Sequence, residues 1–178
     1  MPYTLQQLSD FEDIRVLKHR YFRGIDTADM ALLQELFTDD VDIDYRGGGY
    51  RVTLKGRDNL LEFLANSFSE AAVAMHHGHM PEITLTGEHT AEGIWYLEDI
   101  FISLEARTHT IGTALYRDRY VRHNGSWKIA RSEYDRVIEL VQPLRDDITI
   151  ASHHLAKSGR RLADRTDISH MIQWKAQN

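Results

Sequence analysis

The residues best equipped for chemistry are a histidine cluster and a carboxylate set in an apolar strand. The cluster is His76-His77-Gly78-His79, followed by Met80-Pro81-Glu82-Ile83; the carboxylate ends the run Gly93-Ile94-Trp95-Tyr96-Leu97-Glu98-Asp99. Both stretches read as strands, in which residues two apart share a face. Trp95, Leu97, Asp99 and Phe101 then point the same way. A carboxylate among large apolar side chains faces a core or a cavity, and ionised it is costly there without partners. Asp99 is therefore a candidate site residue. The same alternation puts His76 and Gly78 on one face and His77 and His79 on the other. Only one side of the cluster can line a given cavity. His77 and His79 have the spacing of a metal-binding pair, because neutral imidazoles are good zinc ligands. A metal site needs further ligands, and no matching spaced motif stands out elsewhere. Activity is expected to need no metal and no cofactor; phosphate-binding glycine loops and nucleophile elbows are also lacking.

Two more stretches carry candidates. In the last strand, Ala130, Ser132, Tyr134, Arg136, Ile138 and Leu140 alternate onto one face, with Glu133, Asp135 and Glu139 on the solvated side. A guanidinium between Tyr134 and Ile138 needs a carboxylate or an anionic ligand atom as partner. Near the N-terminus, Ile14, Leu17, Tyr21 and Ile25 recur at helical spacing, predicting a helix from about Ser9, as N-cap, to Ile25. Tyr21 and Asp26 flank its buried face but stand about 140° apart around it. They share a cavity only across the helix end or where the helix loosens near Gly24. By position alone Asp26 is a cap for a second helix, Ala28 to Phe37.

The elements that must hold these residues follow in order. Val41–Tyr45 and Tyr50–Leu54 read as short strands about the Gly47-Gly48-Gly49 turn, and a third helix starts at Gly56-Arg57-Asp58. Four long strands follow, roughly 74–85, 90–104, 109–123 and 126–141, with Asn124-Gly125 as a hairpin turn. Helices first and a strongly curved antiparallel sheet afterwards make an α+β fold, a cone whose sheet wraps around the N-terminal helices. Its inner face would be apolar with a few polar groups, as small-molecule pockets are. We place this domain at residues 1–142. Residues 143–178 lose the periodicity and are expected to pack on the barrel or on a neighbouring subunit. Their Lys157 to Arg161 run is a solvated face.

Bulk properties narrow the function. A chain of 178 residues, 42 % apolar and 27 % charged, is one domain of ordinary composition. The formal net charge of −6 argues against general nucleic-acid binding. Absence of cysteine excludes disulfides and thiol catalysis. Without an apolar leader or a long apolar run, a cytoplasmic protein with no membrane association is expected.

Taken together, Tyr21-Phe22-Arg23 with Asp26, Met75-His76, Gly78-His79, Pro81-Glu82-Ile83-Thr84, Trp95 to Asp99, and Tyr134 with Arg136 are a familiar set. The chain resembles the SnoaL-like group of the nuclear transport factor 2-like (cystatin-like) superfamily. That group includes scytalone dehydratase, hexachlorocyclohexane dehydrochlorinase and, as the nearest in pattern, bile-acid 7α-dehydratase. The triple-glycine loop, His77 and the C-terminal tail depart from that pattern.

The resemblance implies active-site positions at Tyr21, Asp26, His76, Asp99 and Arg136, and a homo-oligomer, most simply a trimer. It implies a dehydratase acting on a hydroxylated apolar ketone or enone, steroid or bile-acid-like. In that chemistry His76 moves the proton, Asp26 fixes its tautomer and Tyr21 donates to the enolate oxygen. Trp95, Leu97, Phe101, Tyr134 and Ile138 would line the pocket for a small hydrophobic substrate. Ketosteroid-isomerase or polyketide-cyclase proton transfer is the alternative within the fold, and a non-catalytic binding or structural subunit is the alternative outside catalysis.

Overall fold

The concave side of a single sheet receives one long helix, and that packing places everything discussed below. We describe residues 2–175 from a computed structural model. Helix α1 runs Leu5–Asp26 and starts five residues earlier than expected, because Thr4 and Gln7 form a reciprocal capping box ahead of Ser9. Its buried stripe is Ile14, Leu17, Lys18, Tyr21, Phe22 and Ile25. Burying each large apolar member stabilises the fold by roughly 1.5–3 kcal/mol. Helix α2 (Met30–Leu36) is capped by Asp29, whose side chain accepts the Leu32 N–H at 2.9 Å. Asp26 therefore has no capping duty, contrary to the reading from position alone.

The strands are β1 (Phe37–Arg46), β2 (Tyr50–Lys55), β3 (Ala72–Leu85), β4 (Thr90–Ser103), β5 (Thr108–His123), β6 (Ser126–Pro143) and β7 (Ile172–Trp174); α3 (Arg57–Ser67) precedes β3. They form one curved sheet in the order β3-β4-β5-β6-β1-β2-β7. All neighbours are antiparallel except β1 and β6. Asn124 and Gly125, with φ of 50° and 80°, make the tight turn that pairs His123 with Ser126.

Register irregularities bend the sheet. Ala130 and Val137 are each an extra residue on β6, and β3 carries one at Met80-Pro81. An extra residue reverses the side-chain phase. The expected common face on β6 therefore breaks into pieces. Ser132, Tyr134 and Arg136 point inward, but past Val137 the order flips: Ile138 and Leu140 turn to the outer surface and Glu139 turns in.

The described part of the C-terminal extension makes contacts on the barrel. A short helix α4 (Leu155–Ser158) buries Leu155, Arg160 bridges to Ser69, and β7 adds to the β2 edge. None of the described helices is long and apolar enough to cross a membrane.

Candidate active site

Asp26 is the last residue of α1 and His76 sits mid-strand on β3. The Asp26 carboxylate holds the histidine twice. One oxygen lies 2.6 Å from His76 Nδ1, and the other accepts the His76 backbone N–H at 3.0 Å. Accepting from Nδ1–H fixes the tautomer and leaves Nε2 with its lone pair. Among the described residues no hydrogen bond reaches Nε2. The imidazole is walled by aromatics: Phe22 stacks parallel to it (9° between planes) and Phe68 meets it edge-on at 5.6 Å. Gly78, one inward position along β3, is what admits Phe22, since a Cβ there would overlap the phenyl ring.

Asp99 lies directly across from His76 in the β3–β4 register. Its side chain is buried and both oxygens accept from Arg136, NH2 at 2.9 Å. Gly112, opposite Asp99 on β5, leaves the room the guanidinium occupies. Burial opposes the Arg136 charge, but the Asp99 carboxylate outweighs it and raises the pKa further above its ordinary value. Arg136 stays cationic. Glu139 Oε1 stands 2.9 Å from its Nε, and Glu139 also accepts the Gly48 N–H at 2.8 Å. Glu139 was expected in solvent; the Val137 bulge brings it in.

Tyr21 is close by but separate. Its hydroxyl pairs with that of Tyr45 at 3.0 Å, with no bond to Asp26 or His76, and Phe22 packs against both its ring and the imidazole. Burial among other tyrosines pushes its pKa well up, so it remains a neutral phenol. Tyr45 stacks on Tyr134, whose hydroxyl meets that of Tyr50, and Tyr134 lies under the Arg136 guanidinium. A file of tyrosines thus links Tyr21 to Arg136.

The five expected lining residues divide. Phe101 packs against Phe68, and Tyr134 against Arg136, so both border the polar groups. Leu97 faces inward opposite Gly78. Trp95 is core: fully buried, its Nε1–H donates to Tyr120. Ile138 is a correction; it is 54 % exposed on the outer surface because the bulge reverses its face.

A second polar cluster lies deeper and was not anticipated. Lys18 Nζ donates to Asp118 at 2.7 Å, with both side chains fully buried. Asp118 also accepts from Tyr120 and Ser132. Lys18 interrupting the apolar stripe of α1, and Asp118 alternating with Tyr116 and Tyr120, were the available signals. A groove of about 320 Å³, lined by Glu82, Glu92, Arg117, Arg119, Arg131 and Glu133 among others, does not include the His76 pair.

Known structures share this architecture. A type 2 hexachlorocyclohexane dehydrochlorinase (LinA) superposes with a TM-score of 0.72 at 19 % identity, covering 83 % of this chain and 99 % of its own. The type 3 enzyme of Novosphingobium barchaimii gives 0.70 at 20 %, covering 83 % and 99 %. A scytalone dehydratase-like protein of Novosphingobium aromaticivorans gives 0.65 at 20 %, covering 88 % and 95 %. At such identities the likeness speaks for the fold. The SnoaL-like domain matches residues 6–133, most of the chain, and the protein belongs to that family.

Proposed function

We propose that the protein is a lyase eliminating water from a hydroxylated, largely apolar ketone or enone, a steroid or bile-acid-like skeleton being the first candidate. The observation that carries this reading is the double hold of Asp26 on His76, which leaves Nε2 as an oriented base. Nε2 takes a proton from the carbon beside the carbinol. The C–H electrons form the new double bond, the C–O bond breaks, and the departing hydroxyl leaves as water with a proton returned by the imidazolium. Asp26 stabilises that imidazolium. Tyr21, whose hydroxyl pairs with that of Tyr45, is the candidate donor to a developing enolate oxygen. Asp99 and Arg136 adjoin the base and orient the substrate. A dehydrochlorinase and a scytalone dehydratase-like protein among the structural neighbours are consistent with elimination as the reaction type.

The test is incubation with a 7-hydroxy-3-oxo-4-ene steroid, following the extended dienone by absorbance. Turnover without loss of water would move the assignment to isomerisation. No turnover on any hydroxy-ketone would leave a binding role. The same reading includes a homo-oligomer, a trimer first. Ile94, Ile111, Ile138 and Leu140 stand exposed on the outer face, which a second copy would cover. Light scattering at a monomer mass would remove that part.

A further inference from the structure

The outer face of the same strand pair carries a second constellation. His77, His79 and Glu98 each offer one ligand atom, and the three atoms lie within 4.8 Å of one another. The pleat explains it: His77 pairs with Glu98 in the β3–β4 register, and His79 is the next outward residue on β3. His79 Nε2 already stands 3.5 Å from Glu98 Oε2. Ligand atoms about 2.0–2.1 Å from a tetrahedral zinc are on the order of 3.4 Å apart, so that edge is in place. The others close by side-chain rotation, which exposed side chains make freely. The bulge at Met80-Pro81 follows at once, so the strand leaves its regular path just beyond the second histidine.

We propose that His77, His79 and Glu98 bind one divalent transition-metal ion of the zinc, nickel and copper class on the outer face, with water completing the coordination. Two imidazoles and one carboxylate suit these ions; magnesium and calcium prefer shells made of oxygen alone. The ion would clamp β3 to β4 one register position from His76 and Asp99, which face the other way. It is a tie across the backbone behind the candidate active site, with no access to the reacting groups. The sequence reading took the histidine pair as lacking further ligands. Glu98 supplies the third, 19 positions from His79 and 21 from His77 along the chain and adjacent only across the sheet.

Untagged protein is stripped with a chelator and titrated calorimetrically with zinc, copper and magnesium salts. We expect one zinc ion per chain, copper bound more tightly than zinc, and no heat from magnesium. His79→Gln and Glu98→Gln should each weaken zinc binding at least tenfold, and zinc should raise the melting temperature of the wild type but not of His77→Gln/His79→Gln. Circular dichroism of the metal-free variants checks that they fold. An absence of zinc binding by the wild type would overturn the proposal. So would unchanged binding by the double variant, which would place the ion elsewhere, as at His153-His154. Turnover should be the same with and without zinc. The zinc readout therefore stands or falls separately from the elimination reading.

Discussion

Asp26 with His76 and Lys18 with Asp118 are built alike. In each, α1 supplies one partner and the concave face of the sheet the other, at 2.6 Å and 2.7 Å. They differ in what is left over. Asp118 accepts from Lys18, Tyr120 and Ser132, and the Lys18 ammonium lies 3.6 Å from the Tyr116 ring centroid with Tyr21 and Phe22 beside it. Burial pulls the Lys18 pKa down, and Asp118 partly restores it. Every strong polar atom of that pair is occupied. In the other pair one imidazole nitrogen has no hydrogen-bond partner among the described residues, and the Asp26 side chain keeps 24 % of its exposure. A closed ion pair can hold α1 against the sheet. A pair with a spare lone pair can take a proton.

The largest effect expected from this contrast is on turnover. His76→Ala should lose roughly 10²–10⁴-fold in kcat, the scale of a general base, and, because the imidazole is buried against Phe22 and Phe68, about 1–3 kcal/mol in urea stability, less than the buried ion pair below. Asp26→Asn should follow it in direction. Comparable unfolding of His76→Ala would mean that both pairs are structural. The reverse is expected at depth. Asp118→Ala leaves Lys18 buried without its carboxylate and should cost about 3–5 kcal/mol in urea denaturation, while the folded fraction keeps its activity. An inactive, fully stable Asp118→Ala would merge the two clusters into one site.

Gly78→Ala tests the wall between them. Its new methyl would collide with Phe22, which touches both His76 and the Lys18 box. Overpacking of this kind costs about 1–3 kcal/mol. A loss of kcat/KM larger than the loss of stability would mean that the Phe22 stack positions the imidazole.

What could be read beforehand depended on regular periodicity. Trp95, Leu97 and Asp99 do share the inner face, and His76 and His77 do part company, because β3 and β4 keep their pleat there. Ile138 and Glu139 were misplaced because one extra residue at Val137 inverts the face, and no local sequence feature marks it. Asp26 with His76, and Glu98 with the outer histidines, are contacts between distant segments. Side-chain alternation cannot supply them; they need strand register and the end point of α1. The Lys18–Asp118 pair was legible in principle, as two charges on otherwise apolar faces.

The smallest effect concerns the extension, an ionic contact outside the cone. Glu62 on α3 holds Arg160 at 2.6 Å and 2.9 Å and also meets the Thr166 hydroxyl. The Arg160 hydrogen bonds, then that of Thr166, lower its pKa from 4.5 to about 2. A carboxyl depressed in the folded state contributes stability above its unfolded pKa and loses it as pH falls through the folded value. The contribution should therefore be complete above about pH 4.5 and fade toward pH 2. The pair is partly exposed and solvent screens it, so the whole amount is at most about 1 kcal/mol. Glu62→Gln removes the charge at every pH. At pH 5.5 the variant should exchange the amides of residues 160–174 faster than the wild type. The gap should narrow as the pH is lowered, because the wild type loses the same charge. A gap that stays constant down to pH 2 would mean that Glu62 holds the extension through uncharged hydrogen bonds alone.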